Sequence, residues 1–158
     1  MKKAITFILA AAIMLSLAAC GGTKTSREPL SANDVFEQHF TVTTSLIDYT
    51  DTGAVTSGNN TLYTATGTLR IDVRPKNVTV NGRTLAEVES MRLRVFPASS
   101  WTIEGSSGGS AVITLQGTNT YSGTVDMTFE SLLLHHQAER RFFDKYEVES
   151  CWVVFNLD

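Results

Sequence analysis

From Phe36 onward, apolar and polar residues alternate with a period of two. Phe36, Gln38, Phe40, Val42, Thr44 and Leu46 interleave with Glu37, His39, Thr41, Thr43 and Ser45. Tyr63, Ala65, Gly67, Leu69, Ile71 and Val73 interleave with Thr64, Thr66, Thr68, Arg70 and Asp72. Met91, Leu93 and Val95 alternate with Arg92 and Arg94, and Tyr121, Gly123, Val125, Met127 and Phe129 with Ser122, Thr124, Asp126 and Thr128. Side chains of a strand point to opposite faces in turn, so each run predicts a strand with one face on a core and one in water. The run Tyr146–Leu157 is apolar on both faces, Val148, Trp152 and Val154 on one and Cys151, Val153, Phe155 and Leu157 on the other. It predicts a strand covered on both sides.

Turn chemistry separates the runs. Asn81-Gly82 lies between Val78-Thr79-Val80 and Arg83-Thr84-Leu85, and both residues tolerate positive φ, so a two-residue hairpin is expected there. Residues 51–60 and 105–110 read as loops, and Pro75 and Pro97 as strand ends. Two segments resist the β pattern. Ser31-Ala32-Asn33-Asp34 suits the start of a short helical turn, and 131–145 lacks Val, Ile, Thr, Gly and Pro, so its propensity favours a short helix, although its apolar residues form no clean stripe and leave a continuation of the preceding strand as the alternative. Eight to ten short strands predict an all-β fold, an antiparallel β-sandwich or alternatively a small β-barrel, with one or two short helices at most.

The N-terminus follows a different pattern. Lys2 and Lys3 precede an apolar run, Ile5 to Leu17, too short to span a bilayer and suited to an export signal. Leu17-Ala18-Ala19-Cys20 then resembles the lipobox of bacterial lipoprotein signal peptides, a resemblance confined to the first 22 residues. It implies cleavage before Cys20, a lipid (diacylglycerol with fatty acyl chains such as palmitate) on the Cys20 thiol, and a membrane-anchored protein outside the cytoplasm. Gly21 after the cysteine leans toward the outer membrane where one exists, and the cell membrane otherwise. The expected organisation is a signal peptide at 1–19, a lipidated Cys20 with a flexible tether through residue 30, and a single β domain at 31–158. With Cys20 modified, Cys151 has no intramolecular partner, and its apolar surroundings predict a buried, inert thiol.

Composition narrows the chemistry. The chain has 158 residues with 13 Lys and Arg against 16 Asp and Glu. Loss of Lys2 and Lys3 with the leader leaves 139 residues with 11 basic and 16 acidic, including 20 Thr suited to exposed strand positions. That balance argues against a nucleic-acid partner. Gly105-Ser106-Ser107-Gly108-Gly109 matches G-x-S-x-G in letters, but a strand-like run follows it where a nucleophile elbow needs a helix. His135 and Glu139 would share a helix face, which makes two metal ligands and not a site. No metal or cofactor is expected, and Trp101 and Trp152 read as core.

Basic charge gathers between Arg70 and Arg94, six basic residues against three acidic. Arg70 and Arg74 should share one strand face and Arg92 and Arg94 another. If the two strands are neighbours, a stripe for anionic partners results, and otherwise the arginines pair with nearby carboxylates. The functional expectation is a non-catalytic binding or interaction module held at the membrane, meeting envelope polymers or envelope proteins. The alternatives are a small sandwich or barrel that binds a sugar or apolar ligand, and an enzyme of unassigned type.

Overall fold

The period-two runs become strands in the computed structural model, which describes residues 22–106, 109–132 and 137–158. In chain order the elements are β1 (Thr25–Pro29), α1 (Asn33–His39), β2 (Phe40–Ser57), β3 (Asn60–Pro75), β4 (Thr79–Val80), β5 (Arg83–Pro97), β6 (Trp101–Ile103), β7 (Ala111–Thr114), β8 (Tyr121–Ser131) and β9 (Phe143–Leu157). One sheet runs β1-β9-β5-β4, with β7 also on β5; the other runs β2-β3-β8-β6. Every pairing is antiparallel. Strand makes up 69% of the described residues and one sheet curls towards a half-barrel, so the fold is an all-β sandwich with barrel-like curvature.

The apolar half of each alternation fills the space between the sheets. Leu69, Ile71 and Val73 of β3 and Met127 and Phe129 of β8 meet Met91, Leu93 and Val95 of β5 and Cys151, Val153 and Phe155 of β9. Burying each large side chain contributes about 1.5–3 kcal/mol, which is why the pattern dominates the fold. Two glycines mark close approaches. A Cβ on Gly67 would lie 2.8 Å from Leu46 Cδ1, and one on Gly123 would collide with Ile113 Cγ2. Asn81 and Gly82 have φ of 52° and 70°, as the I′ turn joining β4 to β5 requires, and β3 and β5 close at Pro75 and Pro97.

Several expectations are corrected. The segment expected to be a tether contains β1, because Thr25–Pro29 pairs with Trp152–Asn156 and completes the edge of β9; ordered structure therefore starts before residue 31. Phe36–His39 is helical, not extended. The cap position falls on Ala32, whose methyl side chain cannot cap, and Asn33 at the first helical position turns its amide to β9, donating to Tyr146 O at 2.8 Å and accepting from Val148 N–H at 3.0 Å. Residues 51–60 form no open loop: β2 and β3 pair through to Ser57 and Asn60, with Gly58 (φ 62°) opening a two-residue turn. Of the 131–145 helix, Ser131 ends β8 and Phe143 begins β9, Arg140 and Arg141 N–H donate to Gln137 O in a tight turn, and 133–136 lie outside the described residues. Trp101 is core, donating from Nε1 to Ala138 O at 3.3 Å. Trp152 is not; it faces outward beneath the Arg27 guanidinium, 4.1 Å from its ring centroid.

Candidate functional site

The four arginines singled out in the sequence do not form one stripe. Arg70 and Arg74 lie on β3 and Arg92 and Arg94 on β5, strands of different sheets. Arg70 Nε lies 3.0 Å from Asp72 Oδ1, and Arg74 Nε donates to Thr120 Oγ1 at 3.2 Å. The Ser122 hydroxyl also donates to Asp72, and with Arg70 it holds that carboxyl below the ordinary aspartate range against the opposing effect of burial. Arg94 reaches Glu149 on the neighbouring strand at 3.4 Å and Ser110 at 3.2 Å. Arg92 is exposed and has no ion-pair partner among the described residues. Of the four, Arg94 pairs with a carboxylate on the neighbouring strand and Arg70 with one on its own strand, while Arg74 meets a neutral hydroxyl.

Cys20, His135, His136, Ser107 and Gly108 lie outside the described residues, so the lipidation site and the histidine pair have no geometry to report. Cys151 is buried and burial pushes its thiol up to about 12, far from a nucleophile's range. Among the described residues, no three His, Cys, Asp or Glu side chains gather as a metal site.

The structure assembles a groove that the sequence did not suggest. Helix α1 crosses the open side of the sandwich, its Phe36 stacked on Phe40 at 4.7 Å and edge-on to Tyr146 at 6.2 Å. Beside it, the start of β2 faces the start of β9 across an opening of about 320 Å³ lined by Glu37, Phe40, Thr41, Val42, Thr44, Lys76, Phe143 and Tyr146. The Tyr146 hydroxyl donates to the Glu37 carboxylate, and Lys76 Nζ donates to Glu37 O at 2.6 Å. Burial first, and then the Glu37 carboxylate, raise the Tyr146 phenol well above the ordinary tyrosine value. It therefore stays a donor at any physiological pH. The groove is walled by aromatic and hydroxyl-bearing side chains, and its two charged residues are already engaged within it.

Two further features frame this groove. At the end where β1 begins, Leu157 N–H donates to Lys24 O at 2.8 Å and Asp158 N–H to Gly82 O at 3.0 Å. The β4–β5 turn and the end of β3, three residues before β4, share that end. The β2–β3 turn lies at the far end of the 16-residue β3, on an arm whose residues 50–60 are exposed on both faces. Only residues 63–73 of β3 are covered by β8, so the arm stands clear of the sandwich. Comparison with protein-family models, curated proteins and solved structures finds no match.

Proposed function

We propose that this chain is a lipid-anchored envelope protein whose β domain acts by presenting surfaces to other envelope components, not by turning over a substrate. The carrying observation is the polarity of the sandwich. β1 begins at Thr25, five residues after Cys20, and the β2–β3 arm leaves the opposite end. Five residues reach at most about 18 Å, so a lipid on Cys20 would hold the β1 end close to the membrane. The 16 residues of β3 extend about 50 Å at roughly 3.3 Å each, which carries the arm outward towards polymers and proteins of the envelope. Two or more acyl chains make such an anchor stable, since each buried methylene contributes about 0.8 kcal/mol. Arg92 would offer an acidic partner an exposed guanidinium that has no ion-pair partner among the described residues.

The test is the mass of the mature N-terminus together with the location of Cys20→Ala. A diacylated Cys20 at the N-terminus, and a variant released from membranes or left as precursor, are the expected results. An unmodified N-terminal residue other than Cys20 would overturn the anchor.

A further inference from the structure

Most free strand edges in the two sheets are short or carry residues that discourage pairing. β1 has five residues including Arg27, Glu28 and Pro29, β4 has two, β6 three and β7 four. β2 is different. It runs 18 residues at the edge of its sheet, and among the described residues no strand pairs with its outer side. Its first eight residues, Phe40–Ile47, contain no charge, no proline and no glycine. α1 bounds this stretch at one end. At the other, Asp48 takes φ 53° and the register slips between Ile47 and Thr50. A long uncharged edge is a template for another strand, and sheets that do not use such an edge protect it with charges, prolines or bulges. The groove described above runs beside this same stretch, on Thr41, Val42 and Thr44. Strand addition takes its affinity from main-chain hydrogen bonds and its specificity from pockets that receive alternate side chains, and both parts are present here.

We propose that the Phe40–Ile47 edge of β2 receives an extended, uncharged segment of another envelope protein as an added strand, with one apolar side chain of that segment seated in the groove between β2 and β9. The proposal rests on reading the domain as a presenter of surfaces. The edge favours a neutral occupant: Phe40–Ile47 carries no charge, so a charged side chain on an added strand would find no opposite charge directly across from it. An aromatic or branched side chain meets Phe143 and Tyr146 instead. A second copy fits less well. Two copies on one membrane run β2 in the same direction, so their edges meet in parallel about a two-fold axis. That arrangement sets groove against groove and fills neither.

The experiment places a photocrosslinking phenylalanine derivative at Ser45, an exposed edge position, in the full-length protein in its own membranes. The adduct is sequenced by mass spectrometry. An adduct in an uncharged, alternating segment of another envelope protein, reduced at least fourfold by the pair Thr41→Lys and Thr43→Lys, is the expected result. An adduct to this chain, to a charged segment, or to no protein overturns the proposal. The purified protein provides a second measurement, with a fluorescent peptide of alternating Thr and Val carrying one central Phe and blocked at both ends. Its Kd should rise at least tenfold in the double variant, and equal binding overturns the proposal. Circular dichroism and the melting temperature check the fold, and Thr43→Lys alone is used if the pair unfolds. The N-terminal mass of the same sample separates the two readings. Peptide binding with an unmodified Cys20 removes the anchor and keeps the added strand, and a lipidated Cys20 without peptide binding does the reverse.

Discussion

The two ends of this sandwich are held by different physics. At the β1 end, a short helix plugs the core with Phe36, the Glu28–Arg83 ion pair crosses from β1 to β5, and Arg83 also lies 4.7 Å over the Phe155 ring. His39 is fully buried there against Phe155, with neither ring nitrogen finding a hydrogen-bond partner among the described residues. At the other end, the β2–β3 arm has almost no core. It rests on its backbone ladder and on threonine pairs, Thr52 Oγ1 to Thr64 Oγ1 at 2.7 Å and Thr56 to Thr61 at 3.3 Å, with Val55 63% exposed. Burial holds one end and local hydrogen bonds hold the other. Stability should therefore be graded along the long axis, high near the β1 end and low at the arm tip.

Removing packing at the β1 end should have the largest effect. Phe36→Ala leaves a cavity between α1, Phe40 and Tyr146 and is expected to cost about 3–5 kcal/mol, read as a lower midpoint in denaturant with unchanged slope. A loss below about 1 kcal/mol would mean that α1 is not part of the cooperative core.

Acid should weaken the same end in two steps. Burial, with help from Arg83 and Lys76 and against Glu28, lowers the pKa of His39. A histidine held neutral adds stability that is complete above its unfolded value near 6.5 and is lost as pH falls below it. Burial raises the Glu28 carboxyl, but hydrogen bonds from Arg83 and Ser26 and the charge of Arg83 outweigh it, so the net shift is downward. That contribution is present above the ordinary glutamate value and is lost as pH falls further. Melting temperature against pH should show an upper limb that His39→Leu removes and a lower limb that Glu28→Gln reduces. Leucine also removes two unpartnered buried nitrogens, so the variant should be about 1–2 kcal/mol more stable at pH 7. A pH profile unchanged by His39→Leu would refute the assignment.

The arm should contribute least. Val55→Ala is expected within about 0.5 kcal/mol of wild type, and Gly58→Ala should cost about 1 kcal/mol through its positive φ, felt locally. Hydrogen exchange measures the contrast directly. Arm amides at 53–62 should exchange far faster than those of Leu69–Val73 in the same strand, and equal protection would remove the gradient.

Much of the fold was legible where one residue's role depends on its own strand. Leu69, Ile71 and Val73 read as core because alternation alone decides their face, and Asn81-Gly82 read as a turn because only its own φ values matter. Legibility failed where a distant partner decides. Thr25–Pro29 looks like a tether until β9 offers it an unpaired edge, and Trp152 looks like core until Arg27 covers it from outside. Asn33 looks like a helix cap, yet Tyr146 and Val148 claim its amide. The arginines were visible as residues, but whether they form a stripe depends on which strands are neighbours. The groove was not visible at all, since α1, β2, the loop at Lys76 and β9 each supply a part. The one local signal was the uncharged stretch Phe40–Ile47, which an edge strand has reason to avoid.

Cys151 lies at the centre of β9 opposite Met91, and its thiol is pushed up to about 12. In the proposed mature form the Cys20 sulfur is tied up as a thioether, so the folded protein carries a single latent thiol. An alkylating reagent then becomes a clock. Labelling of Cys151 counts the moments when β9 parts from β5, and a cysteine engineered at Ser57 in the arm would count local openings in the same tube. The ratio of the two rates measures how far the sandwich opens as one unit, on intact membranes and without any denaturant.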